Sequence, residues 1–150
     1  MELPEEALMH RALSAATCRA FREAETTLPP DVVRALRSAS ARESSEIARH
    51  ELSHILENIA LAGRLDLPLC QDTGVPVIYL TVPPHVPFSP LLFDAVREGV
   101  REATREIPLR PNVVSPLDRK NYGDNTGPGM PSVHVVPGDR LAVTVLPKGA

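Results

Sequence analysis

The residues best suited to chemistry in this 150-residue chain stand together in Leu67-Pro68-Leu69-Cys70-Gln71-Asp72-Thr73-Gly74. A thiol, an amide and a carboxylate follow one another there. Pro68 and Gly74 bracket them, so the stretch reads as a turn rather than the interior of an element. A cysteine on a loop just before a strand is placed to project into a cleft, where its thiolate can be a nucleophile or a soft metal ligand. Gln71 then supplies a hydrogen bond and Asp72 a proton-transfer group beside it. The plainer alternative is that Cys70 is a small buried hydrophobe and that Asp72 closes a turn.

Two other stretches carry chemically useful groups. Arg110-Pro111-Asn112-Val113-Val114-Ser115-Pro116 precedes Arg119-Lys120-Asn121-Tyr122-Gly123-Asp124-Asn125-Thr126-Gly127. An arginine grips a carboxylate through two parallel hydrogen bonds. Glycines and asparagines let backbone amides converge on an anion. The alternative is an ordered surface loop with ordinary turn chemistry. His50-Glu51-Leu52-Ser53-His54 matches H-E-x-x-H, the spacing with which a helix holds zinc between two imidazoles beside a general base. On a helical wheel measured from Ala48, however, Leu52, Ile55, Leu56 and Ile59 cluster within about 80°, while His50 and His54 fall at about 200° and 240°. Both histidines are therefore expected to face solvent. A zinc peptidase centred on them stands as the rival enzyme reading.

The elements that must position these groups are helical first and mixed afterwards. Residues 4–25 suit a helix with Leu8, Ala12, Ala15 and Ala16 on one stripe, Pro4 in its first turn and Cys18 packed at the stripe's edge. Pro29-Pro30-Asp31 starts a second helix reaching about Ala39. Ser40-Ala41-Arg42-Glu43 has the form of a capping box and predicts a third helix from there to about Gly63. Val75 to Val82 reads as a buried strand. Ser89-Pro90 opens a fourth helix that presents Leu92, Phe93, Val96, Val100 and Ala103 and stops before Pro108. Arg110 to Val114 suits a short extended segment, and residues 115–131 are too polar for a core element. Val133 to Val136 and Leu141 to Leu146 read as strands joined by a Pro137-Gly138-Asp139 turn. The predicted fold class is α+β: a helical unit over residues 1–63, then a loop and small mixed sheet with a covering helix over 64–150.

Composition narrows the function classes. A net charge of −3, no lysine/arginine cluster and no tryptophan give no case for nucleic acid. No apolar run approaches the length of a membrane span. The acidic start, Met1-Glu2-Leu3-Pro4-Glu5-Glu6, lacks a signal-peptide pattern. Cys18 and Cys70, far apart, form no disulfide framework. The expectation is a soluble cytoplasmic protein with reduced thiols.

Taken together, these stretches resemble one family. Pro68-Leu69-Cys70-Gln71-Asp72-Thr73-Gly74 is similar to the P-x-C-Q-D-T-G signature of class I iron–sulfur fumarases and L(+)-tartrate dehydratase α subunits. Arg110-Pro111-Asn112-Val113-Val114 with Pro116, Gly123-Asp124-Asn125-Thr126 and Val136-Pro137-Gly138-Asp139 resemble the later blocks, in the same order. Tyr122 stands where the family more often has threonine, and Gly127-Pro128 replaces the usual proline. The resemblance implies a hydro-lyase that adds or removes water on a small dicarboxylic acid, fumarate (a tricarboxylic acid cycle step) or tartrate. It also implies a [4Fe–4S] cluster with one open iron acting as a Lewis acid. On this resemblance Cys70 is a cluster ligand, Gln71 and Asp72 contact substrate with Asp72 handling a proton or orienting a partner, and Arg110 clamps a substrate carboxylate. It further implies a β subunit or β-type domain, an oligomer, and an N-terminal portion cut short at Lys148-Gly149-Ala150. The remaining cluster cysteines would lie beyond that point and the catalytic base on the β part, so this segment alone is expected to be inactive. A non-catalytic assembly or regulatory module of the same fold is the third reading.

Overall fold

The computed structural model describes residues 5–149. Pro4, the expected first residue of the first helix, and Ala150 lie outside them. Helix α1 (Glu5–Thr26) buries Leu13, Thr17, Cys18, Phe21 and Glu25. The expected stripe is therefore not the buried one: Leu8 is 53% exposed and Ala12 is exposed too. Burying Leu13 and Phe21 removes far more apolar area from water than burying alanines, so those two set the rotation of the helix. Cys18 does pack, as expected.

Helix α2 (Pro30–Arg42) runs past Ala39, and α3 (Glu46–Leu65) begins after Ser45. The capping box expected at Ser40 does not form. Ala41 and Arg42 are good helix formers and continue α2. Ser45 is the N-cap instead, its side chain accepting from the Ala48 N–H. The helix ends two residues beyond Gly63, with Asp66 in the left-handed conformation closing it. α2 and α3 pack on each other as a hairpin and make few contacts with the rest of the described chain.

Strand β1 (Val75–Val82) lies at the centre of a mixed sheet, helix α4 (Pro90–Glu106) follows it, and β2 (Ser132–Pro137) and β3 (Ala142–Lys148) flank it. β2 runs parallel to β1 and β3 antiparallel. The predicted α+β class with its small mixed sheet is what the chain forms. The Pro137-Gly138-Asp139 turn does not close a hairpin, because β1 lies between β2 and β3. It crosses the end of β1, where the Gly138 N–H donates to the Val82 carbonyl at 3.3 Å.

Ile78, Leu80, Val133, Val143 and Val145 form the inner face of the sheet and pack with Phe21 of α1 and Leu92, Val96 and Val100 of α4. α4 buries Ala95 and Gly99 besides the residues expected of it, whereas Phe93 is only half-buried. Gly99 lets α1 and α4 touch: a Cβ there would lie 2.5 Å from the Ser14 carbonyl oxygen and 2.6 Å from Thr17 Cβ. Among the described residues, no helix is long and apolar enough to cross a membrane.

Candidate active site

The Cys70 loop joins the end of α3 to the start of β1, and Leu69 anchors it. The Leu69 N–H donates to the Glu25 carbonyl at 2.8 Å. Asn58 Nδ2 donates to the Leu69 carbonyl at 2.8 Å. Leu69 is thus tied to α1 on one side and α3 on the other, so Cys70 leaves from a fixed point. The two cysteines part company here. Cys70 is exposed and free, so the reading of it as a buried hydrophobe fails. Cys18 is buried, and burial followed by the Glu106 carboxylate pushes its thiol up to about 11. That shift leaves Cys18 a thiol near neutral pH.

Asp72 does close a turn, and does more. Its Oδ1 accepts the Gly74 N–H at 3.1 Å and also accepts from Asn112 Nδ2. Its own N–H donates to Cys70 Sγ at 3.4 Å, which fixes the direction of the sulfur. Gly74 has φ +74°, and a Cβ there would strike the Lys148 carbonyl oxygen at the end of β3. Only glycine suits both demands. Thr73 is buried, and its Oγ1 accepts the Arg110 N–H at 2.8 Å, so the arginine segment is docked on the cysteine loop.

An open cavity of 790 Å³ lies between the end of α1, this loop and β3, and both Cys70 and Asp72 line it. Gln71 and Arg110 do not. Gln71 is exposed. Arg110 is exposed as well, and among the described residues its guanidinium has no hydrogen-bond or ion-pair partner. The structure thus brings Cys70, Asp72 and the Arg110 backbone together and leaves the exposed Gln71 out of the cavity lining.

The polar stretch forms neither helix nor strand, as expected, yet Ser115, Asn125 and Thr126 within it are buried. Its amides do not converge on an anion. The Gly123 N–H donates to Asn121 Oδ1 at 2.8 Å and the Thr126 N–H to Asp124 Oδ1 at 3.0 Å. Local turn chemistry uses these donors. His50, Glu51 and His54 are exposed on α3, as the helical wheel predicts for the two histidines. Among the described residues, no group of three histidine, cysteine or acidic side chains is placed to hold a metal ion.

Sequence reasoning missed Glu25. It lines the cavity, is 6% exposed, and among the described residues its Oε1 has no hydrogen-bond partner. The signal was available, since Glu25 falls four residues after Phe21 and seven after Cys18, on the buried face. Burial, then the Asp72 carboxylate, pushes its carboxyl from 4.5 up to about 7. The sign follows directly: below about pH 4.5 the group is neutral folded or unfolded, and between about 4.5 and 7 only the unfolded chain loses the proton. Stability therefore falls as pH rises through that window. Glu25→Gln removes the fall, so it is expected to raise stability at pH 8 by on the order of 2–3 kcal/mol and to change it little at pH 4.5. Urea unfolding at both values checks this; equal effects at the two would contradict it.

Comparison with known proteins adds to this geometry. The family model described as "Fumarate hydratase (Fumerase)" matches residues 14–150. A "Putative L(+)-tartrate dehydratase subunit alpha" of Methanocaldococcus jannaschii is 42% identical over 136 residues, covering 87% of this chain and 48% of the relative. A "Putative fumarate hydratase class I" of Geobacillus stearothermophilus is 38% identical over 112 residues, 74% of this chain and 22% of the relative. An "L(+)-tartrate dehydratase subunit alpha" of Escherichia coli strain UTI89 is 35% identical over 127 residues, 83% and 42% respectively. The chain spans less than half the length of each of these relatives.

Proposed function

The chain belongs to the fumarate hydratase (Fumerase) family, and from that premise we propose that it is part of a hydro-lyase acting on a small dicarboxylic acid of the fumarate/malate or tartrate type. The observation that carries the reading is Cys70: an exposed thiol at a cavity, on an anchored loop, beside Asp72. Its donor chemistry fits one ligand of a [4Fe–4S] cluster, since a soft, accessible sulfur is what such a cluster takes. The buried Cys18 does not fit. The other ligands would come from polypeptide outside residues 1–150, which we read as the N-terminal portion of an α-type domain. When bound, the cluster supplies Lewis acidity toward a substrate hydroxyl and carboxylate.

The chain's own residues contribute binding and positioning, and the catalytic base is expected on the β part. Arg110 offers a planar cation to one carboxylate of the diacid, and its guanidinium spends nothing on a partner among the described residues. Asp72 holds or takes a proton at its carboxylate, oriented by the Gly74 N–H and Asn112. Gln71, exposed between Cys70 and Asp72, donates a hydrogen bond to the substrate. Two of the relatives are named subunit alpha, so we place this chain beside a β subunit in a cytoplasmic oligomer.

The test is the holoenzyme: the full-length polypeptide with its β partner, purified without oxygen. It is expected to contain iron and sulfide and to turn over fumarate or L(+)-tartrate. Absence of iron and sulfide contradicts the proposal. Stoichiometric zinc, lost on changing His50 or His54, would favour a peptidase instead.

A further inference from the structure

Asn125 sits in a stretch rich in glycine, proline and charge, yet it is 1% exposed. Its backbone is left-handed, with φ 57°, a conformation asparagine adopts more readily than most residues. Its side-chain amide makes three hydrogen bonds. Oδ1 accepts the Asn112 N–H at 2.8 Å. Nδ2 donates to the Arg110 carbonyl at 3.2 Å and to Thr104 Oγ1 at 3.3 Å. Thr104 belongs to α4, and its hydroxyl donates to the Val100 carbonyl at 2.8 Å. One buried amide thus fastens the residues on both sides of Pro111 to a helix of the core.

Those two residues are the ones that bond to the Cys70 loop. The Arg110 N–H donates to Thr73 Oγ1, and Asn112 Nδ2 donates to Asp72 Oδ1. We infer that Asn125 is a positioning residue: through Arg110 and Asn112 it sets where the carboxylate-binding guanidinium stands relative to the Asp72 carboxylate, and so which diacid fits between them. The inference rests on the reading of the site given under Proposed function. The chemistry requires an amide. A carboxylate of the same shape keeps the acceptor for Asn112 but has no donor for the Arg110 carbonyl, and places a charge against it.

The experiment uses the anaerobically purified holoenzyme, with Asn125→Asp as the main variant and Thr104→Val as the second. Thr104→Val removes one partner of Asn125 and leaves the Arg110 contact. Hydrogen exchange of the 110–112 backbone reads the positioning itself, and binding of succinate, an unreactive diacid, reads its consequence. Asn125→Asp keeps the acceptor for the Asn112 N–H but frees the Arg110 carbonyl, so it is expected to lose exchange protection at Arg110 and to weaken succinate binding by about tenfold or more, with iron content unchanged. Thr104→Val should show the same changes more weakly, and it carries the comparison if Asn125→Asp yields no folded holoenzyme. In an Arg110→Ala background Asn125→Asp should add nothing further to the loss of succinate binding, a coupling that a merely structural role would not produce. Retained protection and binding in Asn125→Asp, or additive losses in the double variant, overturn the inference. A wild-type holoenzyme that does not bind succinate overturns the hydro-lyase reading and this role with it. That result is distinct from a wild type and variant that bind equally, which overturns the inference alone.

Discussion

Cys70→Ser in the anaerobically purified holoenzyme is expected to abolish the iron–sulfur cluster and, with it, turnover. Serine keeps the size and the loop anchors, because Leu69 rather than residue 70 makes the bonds to Glu25 and Asn58. What it removes is the soft sulfur donor, and a hydroxyl does not replace a thiolate toward iron. Iron and acid-labile sulfide per subunit should therefore fall to background while the far-ultraviolet circular dichroism stays as in the wild type. Cys18→Ala should leave the cluster in place, because Cys18 is packed between α1 and α4 with its thiol held protonated. Cluster content unchanged in Cys70→Ser would contradict the ligand assignment.

Asp72→Asn should cost kcat by about 10²–10⁴, the usual worth of a positioned proton-transfer group. The substitution is a narrow one. An asparagine carbonyl in place of Oδ1 still accepts the Gly74 N–H and the Asn112 amide, so the turn and the docking of the arginine segment persist. The capacity to hold and release a proton is lost, together with the negative charge that faces Glu25. Cluster content and succinate affinity should stay within about threefold of wild type while kcat collapses, the pattern of an interaction realised in the transition state. A KM increase with unchanged kcat would instead make Asp72 a binding residue.

Much of this was legible in the sequence, for identifiable reasons. β1 was plain because Val75 to Val82 is a run of β-branched and apolar residues, and the start of α4 because Pro90 fits the first turn of a helix. The solvent-facing positions of His50 and His54 followed from the period of α3. The errors came where non-local packing decides. The rotation of α1 depends on where Phe21 meets α4 and the sheet, which local spacing does not express. The capping residue of α3 was misplaced because Ser40 and Ser45 are both competent, and continuation of α2 favoured the later one. The Pro137-Gly138-Asp139 turn looked like a hairpin because a turn does not reveal that a third strand runs between its arms.

At the site, Cys70 and Asp72 stood out by residue type and bracketing, and both line the cavity. Glu25 was hidden because the expected stripe of Leu8, Ala12, Ala15 and Ala16 did not point to the face that carries it, where its Oε1 is buried with no hydrogen-bond partner among the described residues. Asn125 was hidden because its burial depends on hydrogen bonds to Thr104, Arg110 and Asn112, up to 21 residues away in sequence. Polar composition marks a loop; it does not say which amide of the loop is turned inward.

The most direct measurement is thiol alkylation followed by mass spectrometry, applied to the anaerobic holoenzyme before and after oxidative loss of its iron. Cys70 should be protected while the iron is bound and become fully labelled once it is gone, with Cys18 unlabelled in both states. Cys70 labelled equally in the two states would contradict its place beside the metal.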